Sequence, residues 1–211
     1  MTVFRILTLI WLIINPALAA DPGALTGVEV DTARGKLSLR PADPAAVDAL
    51  VTRLPDFLRP YTQAAGGALA RAICLARDQA IDEARPIPPG VRKTLLPYFP
   101  AALLDRVRWT VNDLNRLSLD GLMVLNRSVE AMALEDVLVF ADCAKAQTRW
   151  DVWAHELVHV LQYAAMTTDR FALAYLITTG GDIEKQAYDW QGYVGGRLKS
   201  TRLAVPPGAC S

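Results

Sequence analysis

The sequence predicts an α+β chain that is mainly helical, with a small sheet of two to three strands placed just before one buried helix. Apolar residues recur at helical spacing through much of the chain, while strand-like alternation is confined to a few short segments. The third observation is the segment from Arg149 to Ala165. It reads as a helix apolar on nearly every face, yet it carries His155, Glu156 and His159.

Residues 1–20 have the layout of an export leader. Arg5 supplies a positive start, Ile6 to Ile14 an apolar run, and Pro16 breaks that run before Ala17-Leu18-Ala19, a small-x-small cleavage pattern. The run is too short to anchor in a bilayer, and no cysteine follows it to take a lipid. The expected product begins near Ala20 or Asp21 and is exported, periplasmic or secreted, without a stable membrane anchor.

Residues 21–85 form an N-terminal, mostly helical part. Val28-Glu29-Val30 and Leu37-Ser38-Leu39 alternate and suit one weak hairpin. Asp43-Pro44 reads as a helix N-cap followed by proline at the first helical position, and Val47, Leu50, Val51 and Leu54 mark the apolar face. An alanine-rich helix is expected from Ala64 to Ala84, ended by Pro86-Ile87-Pro88-Pro89-Gly90.

Residues 86–200 carry the core. Short helices are expected at Val91 to Leu96 and Ala101 to Arg106, and strands at Val107 to Val111, Leu122 to Leu125 and Met132 to Phe140. The histidine helix follows, capped by Thr148 or Asp151. Beyond the polar turn Thr167-Thr168-Asp169 comes a helix from Phe171 to Ile177. Gly180-Gly181 breaks it, and Asp182 caps a last helix reaching Leu198. Residues 201–211 form a C-terminal tail with a Pro-Pro-Gly turn.

Charge excludes some partners. The 22 basic side chains, less Arg5 of the leader, face 22 acidic ones. A balance so near zero gives no electrostatic basis for binding nucleic acid or anionic membranes. Of the three cysteines, Cys74 and Cys143 lie in apolar, ordered-looking segments, so they are the expected disulfide; Cys210 lies in the tail.

The only two histidines in the chain stand at i and i+4, in His155-Glu156-Leu157-Val158-His159. One helical face presents both imidazoles to a single ion, with Glu156 beside them to take a proton from a water the ion activates. No histidine remains, so a third protein ligand is an acid or a thiolate. Downstream the acids are Glu184, Asp169, Asp182 and Asp189, with Glu184 the single glutamate.

From Pro86 to Ala187 the chain resembles a bacterial zinc-metallopeptidase family common near extracellular contractile injection systems. The resemblance rests on Ile87-Pro88-Pro89 before Val91-Arg92, on Asp136-Val137-Leu138-Val139-Phe140, on Ala154 to Gln162, and on Glu184 with Ala187. It implies a gluzincin-like, that is thermolysin-like, core and a Zn2+ ion held by His155, His159 and Glu184. The implied activity is hydrolysis of peptide or protein substrates, with Glu156 as general base and an upstream edge strand to hold the peptide.

Two departures matter. Thermolysin-like enzymes place an aspartate four residues after the ligand glutamate, where this chain has Tyr188; Asp151 and Asp189 are the candidates to orient a ligand histidine instead. No histidine is free to stabilise an oxyanion, which leaves Tyr163, Tyr175, Tyr188, Tyr193 or Arg197. The departures keep open an alternative, a zinc-binding assembly module without catalysis, and beyond it a metal-free helical adaptor.

Overall fold

The early alternation becomes a hairpin. β1 (Gly27–Asp31) pairs antiparallel with β2 (Lys36–Arg40), setting Val28 opposite Leu39 and Val30 opposite Leu37. The computed structural model describes residues 27–31, 36–40, 44–112, 129–178, 180–199, 201, 205 and 210, with 27–31, 36–40 and Asp182 described by their backbone. The expected leader, Asp43, the strand expected at Leu122 to Leu125 and most of the tail lie outside the described residues.

Two helices follow, α1 (Pro44–Arg53) and α2 (Arg59–Ile81). The second starts five residues earlier than expected, because Pro60 opens its first turn with a pre-set φ and no N–H to satisfy. The Pro-rich linker supplies a minimal strand, β3 (Arg85–Pro86), and Pro89 begins α3 (Pro89–Leu95). Then come α4 (Ala101–Arg106) and β4 (Arg108–Val111).

The run expected as one strand from Met132 to Phe140 is two, β5 (Ala131–Leu134) and β6 (Val137–Phe140), in an antiparallel hairpin. Glu135 takes the left-handed conformation, at φ 56°, and with Asp136 it reverses the chain between Leu134 and Val137. The reversal was hidden because β6 is buried along its whole length, so it reads as a continuous apolar run rather than as alternation.

The sheet order is β3-β4-β6-β5, with β4 and β6 parallel and the outer pairs antiparallel. β5 is therefore an edge strand. In its register with β6, the Glu130 carbonyl accepts from the Ala141 N–H at 3.0 Å. Antiparallel pairing then turns the backbone groups of Met132 toward β6 and those of Ala131 and Ala133 away from it.

Three helices complete the core after the short α5 (Cys143–Thr148): α6 (Trp150–Met166), α7 (Thr168–Thr178) and α8 (Gly181–Leu198). Neither Thr148 nor Asp151 caps α6. Thr148 ends α5, Arg149 joins the two helices, and Asp151 sits in the first turn, where its charge suits the helix dipole. Likewise Asp182 does not cap α8. Gly180 holds that place at φ 77°, a conformation open to glycine, and Asp182 lies one residue inside the helix.

α6 is buried on almost every face, against α8, α7 and β5. Trp153 sets its indole at a tilt against Phe140 of β6, at 4.7 Å between centroids, and meets Trp109 of β4 at 5.5 Å. These three rings fix α6 to the sheet. α2 packs along α7 and touches β5 and β6, so Ala70, Ile73 and Ala76 share one core with Leu138 and Trp153. That core runs across residue 86.

The disulfide joins Cys143 to Cys210, not Cys74 to Cys143. Cys74 is a free, exposed thiol on α2, facing Glu135, whereas Cys143 opens α5 next to the returning tail. Such a bond persists in oxidising compartments. Among the described residues no helix is long and apolar enough to cross a membrane.

Candidate metal centre

His155 and His159 occupy successive turns of α6, and Glu184 comes from the first turn of α8, the helix packed along it. The two Nε2 atoms lie 3.0 Å apart. Glu184 Oε2 is 3.3 Å from His155 Nε2 and 3.7 Å from His159 Nε2. Both histidines are buried, and Glu184 is partly so. These three residues are the group that can hold a metal ion among the described residues.

The tautomers of both rings can be read from their outer partners. His159 Nδ1 meets Gln162 Oε1 at 2.8 Å, and Gln162 Nε2 donates to the Ile183 carbonyl at 3.1 Å. His155 Nδ1 meets Gln191 Oε1 at 3.0 Å, and Gln191 Nε2 donates to Asp151 Oδ2 at 3.0 Å. A carbonyl and a carboxylate only accept, so each amide oxygen is the end that faces its ring. Each Nδ1 therefore carries the hydrogen, and in neutral rings both Nε2 atoms present lone pairs to one another and to an anion.

Only a cation reconciles three such acceptors. Without a metal that cation is a proton: burial opposes it, but the hydrogen bond to Glu184 and the charges of Glu156 and Glu184 win, pushing His159 up to about 9. Burial also works against the Glu184 carboxylate, and the bonds from His155 and His159 overcome it, holding this group far below the usual range. The donors suit a metal as well. A tetrahedral ion bound at about 2.0–2.1 Å needs donors spaced by about 3.3 Å, which the three distances bracket.

Glu156 is buried beside this cluster. Burial pushes its carboxyl up, the two histidines partly offset that, and the Ala133 N–H donates to it from the outward side of β5. All these groups line a cavity of about 230 Å³. Leu69 and Ile73 of α2 form one apolar wall, Phe171 and Tyr175 of α7 another, and β5 runs along its edge.

The other expected residues fall in three groups. Tyr163, Tyr175 and Tyr188 all line the cavity. Tyr163 is buried and stacked on Phe171 at 3.9 Å, and Tyr188 sets its ring edge-on to His155 at 4.7 Å. Tyr175 hydrogen-bonds Glu184; burial first, and then that carboxylate, raise its phenol. Tyr193 and Arg197 are stacked on each other beside Trp190 and do not line the cavity. Asp189 pairs with Lys185 on the surface and orients neither histidine.

Asp151 reaches His155 through Gln191 rather than directly. Its carboxylate takes a two-point bond from Arg149, at 2.8 and 2.7 Å, and this with the Gln191 bond holds it down to about 2 against the cost of burial. Gly195 on α8 makes the approach possible, since a Cβ there would lie 3.0 Å from the Asp151 Cβ. Sequence reasoning missed Gln191 and Gln162. The signal was spacing: Gln162 is three residues past His159, and Gln191 is seven past Glu184, each on the same helical face as its ligand.

No family model, curated protein or solved structure matches the chain.

Proposed function

We propose that the chain is an exported zinc-dependent peptidase, with His155, His159 and Glu184 as ligands and Glu156 as general base. One observation carries the reading: two imidazoles of assigned tautomer and a carboxylate converge beside a second, buried acid at the edge of a sheet. Two nitrogens and one oxygen are a ligand set that zinc uses in catalytic sites. The leader-like segment and the Cys143–Cys210 bond support export.

When bound, zinc supplies Lewis acidity toward water and toward a peptide carbonyl. The protein does the rest. The outward backbone groups of Ala131 and the Ala133 carbonyl offer an edge on which an extended peptide can pair, next to Glu156, which holds the Ala133 N–H. As water oxygen bonds the peptide carbon, Glu156 takes one of its protons. It then delivers that proton to the amine nitrogen as the C–N bond breaks. The raised carboxyl of Glu156 suits a group that must both accept and return a proton.

Glu156→Gln tests the role. Zinc content is expected to remain at one per chain while cleavage of a peptide library falls by about 10²-fold or more. Undiminished cleavage by the zinc-loaded variant would remove Glu156 as base. A second reading, a zinc-binding module without catalysis, is favoured by one feature: a neutral amide rather than a carboxylate backs His155. Stoichiometric zinc in the wild type with no cleavage of any peptide would decide for it.

A further inference from the structure

We propose that Gln191 and Arg149 are positioning residues for the ligand His155, and that Arg149 ties this ligand to the edge strand β5. The inference rests on the zinc-peptidase reading above and adds to it a physical link between the metal and the surface on which a peptide would lie.

The link is an unbroken run of short contacts. His155 Nδ1 meets Gln191 Oε1 at 3.0 Å, and Gln191 Nε2 reaches Asp151 Oδ2 at 3.0 Å. Arg149 holds both oxygens of that carboxylate through Nε and Nη2. Its remaining arm, Nη1, lies 2.8 Å from Glu130 Oε1 and 2.7 Å from Oε2. Glu130 immediately precedes β5, and its backbone carbonyl is already bonded into the hairpin through Ala141.

Geometry gives each member a job. Gln191 is two helical turns past Glu184 on α8, so one helix supplies a ligand and also the group that orients a ligand of α6. Arg149 uses all three directions of its planar fork, two on Asp151 and one on Glu130. Lysine keeps the charge but lacks the fork and cannot make this bridge. A shift of β5, as when a peptide adds to its edge, would pull on Arg149 and be felt at His155.

The test uses the full chain, with zinc affinity measured by chelator competition and cobalt(II) as the spectroscopic probe. Gln191→Met is expected to weaken zinc about 10–100-fold, the range for lost outer partners of a metal-bound histidine. Arg149→Met and Arg149→Lys are each expected to weaken it by a smaller factor, about 3–10-fold. In all three the visible bands of the cobalt form should move, because the His155 ring is no longer held in place. Unfolding of the metal-free proteins, read in parallel, separates positioning from loss of fold. Folded Arg149 variants with wild-type zinc affinity and an unchanged cobalt spectrum would overturn the inference, as would a loss that only tracks stability. A wild type that binds no zinc would overturn the metal reading itself, and this inference with it.

Discussion

The two histidines proposed as ligands stand one turn apart on α6, each against a glutamine amide, yet what lies behind the two amides differs. His159 is backed by neutral amides in a dry interior: Gln162 is 4% exposed, Gln186 6%, and Gln162 Nε2 bonds both Gln186 Oε1 and the Ile183 carbonyl. His155 is backed by a single amide, Gln191, and behind that amide by a run of charges that ends at the surface, where Glu130 meets Arg149 and Lys145. The first arrangement is closed off from solvent, so a lost partner is hard to replace and it belongs to the fold. The second can be adjusted at modest cost, so it can belong to function.

Exchanging the two glutamines for leucine probes this contrast most strongly. Gln162→Leu keeps the volume but leaves the His159 Nδ1–H, the Ile183 carbonyl and Gln186 Oε1 buried without their partner. Each orphaned group costs about 1–3 kcal/mol, so urea unfolding should show a loss of about 3 kcal/mol or more. Gln191→Leu, at a position water reaches, should lose about 1 kcal/mol and show its effect in metal affinity instead. Equal losses in stability would erase the distinction between the two sides.

Acid provides a second separation. Asp151 is held at about 2, below its ordinary 3.8, chiefly by the Arg149 bond. A carboxyl depressed on folding adds stability above its unfolded value and surrenders it as pH falls through that value toward the folded one. Asp151→Asn should therefore cost about 1–2 kcal/mol at neutral pH, solvent screening of this half-buried pair included. The gap between variant and wild type should close as pH falls from about 4 to about 2, which urea melts across that range will read. The amides behind His159 do not titrate, so Gln162→Leu should show a gap of constant size.

The sequence made some of this legible and hid the rest for identifiable reasons. Two histidines at i and i+4 amid Val152, Trp153, Leu157 and Val160 announce a buried helix with two imidazoles on one face. The mainly helical class and the ends of α4 were equally readable, because local periodicity and proline decide them. What depends on distant contacts was not. Cys210 bonds Cys143 across a separation of 67 residues that carries no local pattern, and the Glu135-Asp136 turn is masked because β6, which follows it, is buried along its length. Arg149 reads as an ordinary surface cation until the fold brings Glu130 and Asp151 to either side of it.

The smallest effect tests how far the adjustable side extends. Glu130→Gln keeps an oxygen for Arg149 but removes the charge, at the outer end where both partners are about one-third exposed. Exposed pairs of this kind are worth about 0–1 kcal/mol and are weakened by salt. The variant should lose less than about 1 kcal/mol in urea unfolding, and added salt should shrink the gap, since salt weakens only the wild-type pair. Zinc affinity should change less than in Arg149→Lys, because Arg149 still grips Asp151 with two bonds. A zinc loss as large as that of the Arg149 variants would mean that the strand, through Glu130, controls the guanidinium, and that tension from β5 reaches His155 undiminished.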